Sequence, residues 1–378
     1  MRFSWEQDMG TVVVTGSGGF IGRNLVATLS LSPEVAVRTF EAEDDPGALP
    51  GLLAEADFVF HLAGVNRPPD PQDFIEGNVG LTERLLGHLR TQGRAVPVLL
   101  SSSTQAGLDN PYGASKREAE ARVRAYGRDT GAPVHVFRLP NVFGKWSRPD
   151  YNSVVATFCH RVARGLPLEI HDPARRLDLV HVDDVVAAFL RAWREGVDPR
   201  GGDPAVEPVY SITLGDLAER IGSFPRSRET REVPAVGDPL TRRLYSMYLS
   251  YLPEDQFAYG LEARRDPRGW LAEVLRGPEL GQIFVSVTKP GITRGHHWHH
   301  TKTEKFLVVS GEALIRFRRL SGTEVIEYPV SGAEPRVVDI PPGYTHSITN
   351  TGEGELVTLF WASEPFDPQR PDTHGLPV

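Results

Sequence analysis

The sequence has very few of the residues that characterise disulfide-linked, membrane-spanning or nucleic-acid-binding proteins. Its single cysteine, Cys159, excludes a disulfide framework and fits a reducing compartment, so we expect a cytoplasmic protein. No apolar run approaches the roughly 20 residues that span a bilayer. The start of the chain lacks the apolar core of a signal peptide and includes Glu6 and Asp8. A net charge of −8 without a basic block argues against nucleic acid as a partner.

The first half of the chain alternates apolar runs with segments long enough for a helix, and 378 residues allow two domains. The apolar runs are Thr11–Thr15, Val35–Phe40, Phe58–Leu62, Val96–Leu100 and Val134–Leu139. This alternation predicts a parallel sheet covered by helices on both faces, which is a doubly wound α/β fold of the Rossmann type.

After about Tyr251 the pattern changes to short β-type runs separated by turns. The runs are Gln282–Thr288, Lys305–Val309, Ala313–Phe317, Val325–Val330, Val337–Ile340 and Leu356–Trp361. They predict an antiparallel all-β barrel or jelly roll. We therefore predict a first domain at 1–248 and a second at 253–378, joined within Ser246–Glu254.

The turn after the first strand is rich in glycine and opens a helix. Gly16, Gly19 and Gly22 are spaced so that the backbone can approach a pyrophosphate, while the helix N-terminus supplies free N–H groups. Phe20 and Ile21 belong to the same turn. Alone, such glycines also occur in turns that bind nothing.

A second motif places Tyr112 four residues before Lys116, so that both side chains lie on one helix face. A nearby ammonium stabilises a phenolate, which lets a tyrosine exchange a proton near neutral pH. Ser103 ends an upstream strand, where its hydroxyl can hold a substrate carbonyl. Taken singly, each of these residues is equally typical of a polar surface.

Together these residues resemble the extended short-chain dehydrogenases. The matching segments are 15–22, 61–64, 78–79 with Thr82, 101–103, Tyr112 with Lys116, 138–144 and 181–184. The resemblance implies that Tyr112 is the general acid of ketone reduction and that Lys116 binds the nicotinamide ribose. It implies a catalytic hydroxyl at Ser103 and a structural asparagine at Asn78. Further residues that it implies at the cofactor are Leu62, Ala63 and Gly64.

The cofactor's phosphate state depends on the end of the second strand. NAD-specific folds place an acid there for the ribose 2′-hydroxyl, whereas an arginine suits a 2′-phosphate. The strand carries Arg38, so we expect NADPH. The alternative is that Arg38 is a solvated residue at the sheet edge.

The second half contains an unusual cluster of histidines. Positions two apart in a strand share a face, so His297 and His299 can point to the interior together. Glu304 and His346 would join them from neighbouring strands. Three imidazoles and a carboxylate suit zinc, iron, nickel or manganese, and we expect a divalent metal, with zinc as the first choice.

This spacing resembles the cupin family. The first cupin motif is matched by Gly291, His297, His299, Glu304 and Gly311, and the second by Pro341, Gly343, His346 and Asn350. The leading glycine of the second motif is replaced by Pro335, which affects a turn and no ligand. The segment 266–273 resembles the opening segment of deoxysugar 3,5-epimerase cupins.

The pairing of the two domains resembles the bifunctional capsular polysaccharide enzymes of the CapF and WbjC type. That resemblance implies a UDP-2-acetamido-2,6-dideoxy-4-hexulose as substrate. It implies inversion of C3 by the cupin domain, then NADPH-dependent reduction of the C4 ketone to the L-talose product, a precursor of UDP-N-acetyl-L-fucosamine. A C3 proton is acidic only while C4 is a ketone, so epimerisation has to come first.

Several assignments stay open at this stage. The epimerase base has three candidates, His300, Lys302 and Tyr344, and the metal is either catalytic or structural. Expected substrate contacts in the first domain are Asn141, Arg175 and Arg176. Three rivals remain: a sugar-binding or dimerising cupin without catalysis, an iron oxygenase, and an enzyme of dTDP-deoxysugars. We also expect a homodimer.

Overall fold

The structure, a computed structural model, describes residues 10–70, 72–196 and 202–378. The N-terminal segment with Glu6 and Asp8 lies outside the described residues. Two compact units make up the chain: Met1–Gly222 with Arg243–Leu252, and Ser223–Arg242 with Pro253–Val378. Within the described ranges, no helix has both the length and the apolarity to cross a membrane.

The division into units differs from the expected domains at one stretch. The junction at Leu252–Pro253 falls inside the expected linker, but Ser223–Arg242 belongs to the second unit, not to a first domain at 1–248. The Val233 N–H donates to the Arg276 carbonyl, and the Arg276 N–H donates to the Arg231 carbonyl, both at 2.8 Å. These are backbone bonds, which leave no side-chain pattern in the sequence.

Five parallel strands form the main sheet of the first unit. They are β1 (Thr11–Thr15), β2 (Ala36–Phe40), β3 (Phe58–His61), β4 (Val98–Ser103) and β5 (Val134–Leu139), in the order β2-β1-β3-β4-β5. The chain passes from β1 to β2 on one side and then to β3 on the other. The winding therefore reverses at β1, and a crevice opens beyond the carboxyl ends of β1 and β3.

Helices cover both faces of this sheet. The α-helices of the described chain are α1 (Phe20–Leu29), α2 (Leu49–Ala54), α3 (Leu81–Thr91), α4 (Pro111–Thr130), α5 (Val154–Val162), α6 (Val182–Glu195), α7 (Leu214–Ser223), α8 (Arg226–Thr230) and α9 (Pro239–Leu249). On β1, Val12 and Val14 pack in one buried cluster with Leu25 of α1, while Val13 packs in another with Leu86 of α3. Burial on both faces is the doubly wound arrangement that the sequence predicts.

Helix α4 has clear signals at both ends. The Asn110 side chain accepts a 2.7 Å hydrogen bond from the Gly113 N–H, which caps the N-terminus. At the other end Gly131 has φ +75°, a left-handed conformation that suits glycine. The start of α4 places Tyr112 and Lys116 beside the carboxyl end of β4.

A small sheet completes the first unit. It contains β6 (Asn141–Phe143), β7 (Arg176–His181) and β8 (Tyr210–Thr213), with β6 and β7 parallel and β7 and β8 antiparallel.

The second unit consists of two antiparallel sheets. Its strands are β9 (Ala263–Asp266), β10 (Gly269–Gly277), β11 (Gly281–Thr288), β12 (Thr293–Trp298), β13 (Glu304–Ser310), β14 (Glu312–Arg319), β15 (Val325–Ser331), β16 (Val337–Ile340), β17 (Tyr344–Asn350), β18 (Leu356–Ala362) and β19 (His374–Gly375). The sheet orders are β16-β13-β18-β11-β10-β9 and β15-β14-β17-β12-β19. Phe306 and Phe360 of the first sheet share a buried cluster with Ile315, Phe317 and Ile348 of the second. The predicted fold class, a parallel α/β domain followed by an all-β jelly roll, is confirmed.

Candidate active site and metal centre

The glycine turn lies at the point where the winding of the sheet reverses. Gly16 has φ +70°, and a Cβ there would stand 2.7 Å from the backbone of Ala63. A Cβ on Gly22 would stand 2.1 Å from the carbonyl oxygen of Gly16. Both positions need glycine because the backbone approaches itself this closely. Phe20 and Ile21 form the first turn of α1, and Ile21 packs on the core.

The segment after β3 lines the other side of the crevice. The Leu62 N–H donates to the Thr15 carbonyl at 3.1 Å, which keeps the two strand ends together. A Cβ on Gly64 would stand 2.8 Å from Oδ1 of Asn78 and 3.1 Å from Nζ of Lys116. Glycine at positions 16, 22 and 64 therefore allows the turns after β1 and β3 to pack closely. A glycine turn that opens α1 at this point of the sheet fits a bound dinucleotide.

The structure brings Ser103, Tyr112 and Lys116 together. Nζ of Lys116 lies 5.8 Å from the centre of the Tyr112 ring and donates to the Ser101 carbonyl at 3.3 Å. Burial raises the pKa of the Tyr112 phenol, and a hydrogen bond with Ser103 opposes that rise. Burial lowers the pKa of Lys116 to about 8, and the Glu120 carboxylate opposes that shift. The arrangement can deliver a proton to a carbonyl oxygen placed between Ser103 and Tyr112.

Asn78 lies in a π-helical turn, Ile75–Gly80, immediately before α3. Its Oδ1 accepts from the Val65 N–H at 2.9 Å, and its Nδ2 donates to Oγ of Ser115 at 3.0 Å. The buried asparagine therefore joins the segment after β3 to helix α4.

Two buried polar groups lie beneath the site, and the sequence predicted no role for either. Nδ1 of His61 lies 2.7 Å from Oγ1 of Thr15, and its Nε2 lies 2.9 Å from Oγ1 of Thr82. Burial, with the charge of Lys116, lowers the pKa of His61 to about 3, so its imidazole is neutral. His61 belongs to the matched segment 61–64, and the signal for its role is that it ends an otherwise apolar strand.

Glu120, the second missed group, is almost fully buried on α4, four residues after Lys116. Oε1 of its carboxylate accepts from Ser102 at 2.5 Å, and Oε2 forms an ion pair with Arg138 at 2.6 Å. Its helical spacing from Lys116 was the available signal.

Arg38 and Glu41 differ in their positions relative to β2. Arg38 is within the strand, where its Nε lies 3.9 Å from Glu55 and both side chains are half exposed or more. Glu41 directly follows the strand, and its carboxylate accepts hydrogen bonds from the Ser17 hydroxyl and the Gly18 N–H. Glu41 was not predicted as a cofactor contact, because the expected phosphate state rested on residues within the strand.

The expected substrate contacts lie on the small sheet or just before it. Asn141 is exposed at the start of β6, with its Nδ2 3.2 Å from the Asp178 carbonyl oxygen. Arg175 directly precedes β7 and Arg176 is its first residue; both are exposed, and Arg176 donates to Oγ of Ser211 at 3.3 Å. The structure leaves both guanidinium groups accessible to an anion.

In the second unit the four expected metal ligands lie together. One ligand atom from each of His297, His299, Glu304 and His346 lies within 4.8 Å of the others. They come from β12 and the residue just after it, from the start of β13, and from β17. A Cβ on Gly295 would stand 2.8 Å from the His346 carbonyl oxygen, so glycine allows β12 to approach β17 closely.

The polar atoms of this cluster fit a cation. Nε2 of His299 and His346 lie 3.4 and 3.3 Å from Oε2 of Glu304. In the described part of the chain, these three buried atoms have no hydrogen-bond partner. Buried polar atoms are normally satisfied, and a tetrahedral metal would satisfy all three. Burial lowers the pKa of His297 to about 4, which keeps its imidazole in the neutral, metal-binding form.

The C-terminal segment supports the cluster. Nδ1 of His299 hydrogen-bonds the Asp372 carbonyl oxygen at 2.5 Å, which directs Nε2 toward the other ligands. The Asp372 carboxylate accepts from three consecutive backbone N–H groups, those of His300, Thr301 and Lys302. A residue 73 positions away along the chain thus orients a ligand.

The three candidate bases differ in their surroundings. Lys302 is buried, with its Nζ held by Oγ1 of Thr373 at 2.9 Å. Tyr344 accepts at its hydroxyl from Arg319 at 2.8 Å. The His300 ring lies 5.0 Å from that of His374 and is exposed. Of the three, His300 is the most accessible to a ligand.

The fold and the first site together define a nicotinamide-dependent enzyme of the short-chain dehydrogenase class. Residues 12–204 match the NAD-dependent epimerase/dehydratase family, and residues 264–374 match the polysaccharide biosynthesis C-terminal domain. The chain belongs to this epimerase/dehydratase family, in the two-domain group of capsular polysaccharide enzymes that includes CapF.

Two relatives are similar to this chain over nearly its whole length, and a third is similar over little more than half of it. A reductase of Pseudomonas aeruginosa, named UDP-2-acetamido-2,6-beta-L-arabino-hexul-4-ose reductase, is 47% identical over 97% of this chain and 98% of its own. The crystal structure of the Staphylococcus aureus capsular polysaccharide assembling protein CapF has a TM-score of 0.92 at 44% identity, covering 97% of this chain and 100% of that chain. Bordetella bronchiseptica WbmF, solved with NAD+, is 25% identical, with a TM-score of 0.50, and covers 57% of this chain and 78% of its own.

Proposed function

We propose that the chain is a bifunctional nucleotide-sugar enzyme. Its second unit inverts C3 of a UDP-2-acetamido-2,6-dideoxy-4-hexulose, and its first unit then reduces the C4 ketone. The product is a UDP-2-acetamido-2,6-dideoxy-L-talose, a precursor of UDP-N-acetyl-L-fucosamine in surface polysaccharide synthesis. The observation that carries the proposal is that one chain holds both the Tyr112–Lys116 pair at a glycine turn and a four-ligand cluster in a jelly roll.

In the reduction, the residues of the first unit position the ketone and supply its proton. Ser103 and Tyr112 hydrogen-bond the C4 oxygen, and the Tyr112 hydroxyl transfers its proton to that oxygen as the alcohol forms. The Lys116 ammonium stabilises the phenolate that Tyr112 becomes. The turn at Gly16–Gly22 and the segment at Gly64 would hold a reduced nicotinamide dinucleotide, which would supply the hydride to C4.

In the epimerisation, the second unit removes the C3 proton from one face and returns a proton to the other. His297, His299, Glu304 and His346 would hold a divalent metal, for which zinc suits the donor set. Such a metal stabilises negative charge on the C4 oxygen when bound. Among the candidate bases we assign removal of the C3 proton to His300, because it is the most exposed of the three, and solvent water returns a proton to the opposite face.

The nucleotide contacts are proposed on charge and placement. Arg175 and Arg176 are exposed cations that suit the diphosphate, and Asn141 lies on the strand next to theirs. The named substrate of the P. aeruginosa relative is UDP-linked, which favours UDP over dTDP. We further propose a homodimer and, from the single cysteine, a cytoplasmic location.

The proposed function is tested by separating the two half-reactions. Purified protein is incubated in D2O with the UDP-linked 4-keto sugar and without reduced nicotinamide, and deuterium at C3 is followed by NMR. We expect exchange in the unmodified protein and in Tyr112→Phe, but not in His297→Ala. With reduced nicotinamide added, Tyr112→Phe should lower kcat by about 10²- to 10⁴-fold.

Each alternative predicts a different result in the same experiment. A β domain that only binds sugar or dimerises gives reduction without exchange at C3. Loss of exchange in Tyr112→Phe contradicts two independent sites. Equal turnover of the dTDP-linked sugar contradicts the choice of UDP, and iron-dependent oxygen consumption supports an oxygenase instead.

A further inference from the structure

The position of Glu41 bears on which dinucleotide the first unit accepts. In doubly wound folds, an acid about 20 residues after the glycine motif, at the end of the second strand, hydrogen-bonds the adenosine ribose 2′-hydroxyl of NAD. Glu41 directly follows β2 and comes 19 residues after Gly22 (41 − 22). Both the spacing of Glu41 from the glycine motif and its location at the end of β2 therefore match those of the acid that binds the ribose in NAD-binding folds.

The contacts of Glu41 place its carboxylate over the glycine turn. Oε1 accepts a hydrogen bond from the Gly18 N–H at 2.5 Å and another from the Ser17 hydroxyl. A Cβ on Gly18 would stand 3.4 Å from Oε2, so the carboxylate lies directly against this loop. The side chain is half-buried, and both of these hydrogen bonds are made by Oε1 and not by Oε2.

The surroundings of Glu41 are negative. Glu43, Asp44 and Asp45 follow within four residues, and Oδ2 of Asp44 accepts from the Glu41 backbone N–H at 2.7 Å. A 2′-phosphate at this point would meet the Glu41 carboxylate, with the Asp44 carboxylate beside it, which is unfavourable even with solvent screening.

Arg38 does not offset this negative charge. In a strand, residues two apart share a face, so Arg38 lies on the side of Phe40, which packs with Leu53 of α2. The Arg38 guanidinium is 3.9 Å from Glu55, the residue just after that helix. The arginine is therefore on the α2 face of β2, whereas Glu41 reaches the glycine turn.

We propose that Glu41 receives the 2′-hydroxyl of the adenosine ribose and that the chain takes NADH in preference to NADPH. This inference rests on the proposed dinucleotide site and reverses the expectation based on Arg38. Glu41 acts twice: its carboxylate accepts from the hydroxyl of NADH and repels the phosphate of NADPH.

The test is direct binding to the full-length protein without sugar substrate. NADH and NADPH are titrated separately, and the dissociation constants are read from nicotinamide fluorescence. We expect NADH to bind about tenfold more tightly or better. Glu41→Gln should lose most of this difference, and Glu41→Arg should favour NADPH. Glu43→Gln removes the same charge two residues further on and should keep the NADH preference, as should Arg38→Ala.

The outcomes separate this inference from the proposed function. If the unmodified protein binds NADPH more tightly than NADH, the inference is overturned, but the dinucleotide site remains. If Arg38→Ala then loses the NADPH preference, the arginine binds the 2′-phosphate. An unchanged NADH preference in a folded Glu41→Gln protein overturns the role of Glu41. If neither NADH nor NADPH binds, the proposed dinucleotide site itself is refuted.

Discussion

At the scale of single residues, the environment of Lys116 controls the chemistry of the first site. Burial lowers its pKa from 10.5 to about 8, and the nearby Glu120 carboxylate limits that shift. Glu120 is itself held by Ser102 and Arg138. The lysine charge, which Tyr112 needs, thus depends on a carboxylate one helical turn away.

The pH dependence of reduction should reveal this arrangement. Lys116 carries its charge below its pKa and loses it above, so kcat/KM should fall as the pH rises through about 8. Tyr112 cannot cause this fall, because burial raises the pKa of its phenol above the usual 10. The measurement is kcat/KM for ketone reduction at saturating reduced dinucleotide, taken at about ten pH values between roughly pH 6 and 10.

The variant Glu120→Gln separates Lys116 from other titrating groups. Removing the carboxylate removes the influence that raises the pKa of Lys116, so the fall should move to lower pH. Glu118→Gln is the matched control, since Glu118 is exposed on the same helix and pairs with Arg122. An unmoved profile in Glu120→Gln would exclude Lys116 as the group responsible.

At the scale of elements, the turn into α1 is determined by how closely the backbone approaches itself. Gly22 and Gly87 both lie inside helices, but only at Gly22 would a Cβ collide, 2.1 Å from the Gly16 carbonyl oxygen. At Gly87 nothing lies within 4 Å of the added atom. The same substitution, glycine to alanine, should therefore have different effects on the protein at these two positions.

Gly22→Ala should weaken dinucleotide binding by about tenfold or more, because the turn has to move. Gly87→Ala should leave binding unchanged and stabilise the protein by roughly 0.5–1 kcal/mol through its better helix propensity. Fluorescence titration and thermal melting measure the two effects. Normal binding by Gly22→Ala would show that the turn does not contact the cofactor.

At the scale of the whole molecule, the two sites lie in separate compact units. The cluster of His297, His299, Glu304 and His346 joins three strands of the second unit, so a metal there should stabilise that unit. Removing metal with a chelator should lower the melting temperature and abolish exchange at C3. Dinucleotide binding should remain, and its loss would contradict independent sites.

Substitutions in the C-terminal segment should weaken metal binding without removing a ligand. Asp372→Ala removes the carboxylate that holds three backbone N–H groups next to His299, and metal affinity should fall by roughly 10- to 100-fold. Asp367→Ala, in the same segment, removes a contact to the Gln369 N–H and should leave metal affinity unchanged. Elemental analysis after dialysis against a weak chelator measures both.

Much of the fold follows from apolar patterns, but the polar strands do not. The five strands of the parallel sheet are close to their predicted bounds. Four of them are apolar and mostly buried, whereas β2 is mostly exposed and is buried only at Phe40. Strand β17, Tyr344–Asn350, is mostly buried yet polar, because it carries His346 toward the cluster. Strands β9 and β19 are short and exposed and have no apolar signal.

The sequence alone determined the chemistry that depends on short spacings. Within each short motif, the residues lie close together because of the local helix or strand period. The motifs are the glycines of 16–22, the pair Tyr112 and Lys116, and the pair His297 and His299. Only the tertiary structure decided which distant groups complete these motifs. Glu41 reaches Gly18, and Asp372 reaches His299 across 73 residues. Such contacts depend on strand order and on where each segment returns, which no local period encodes.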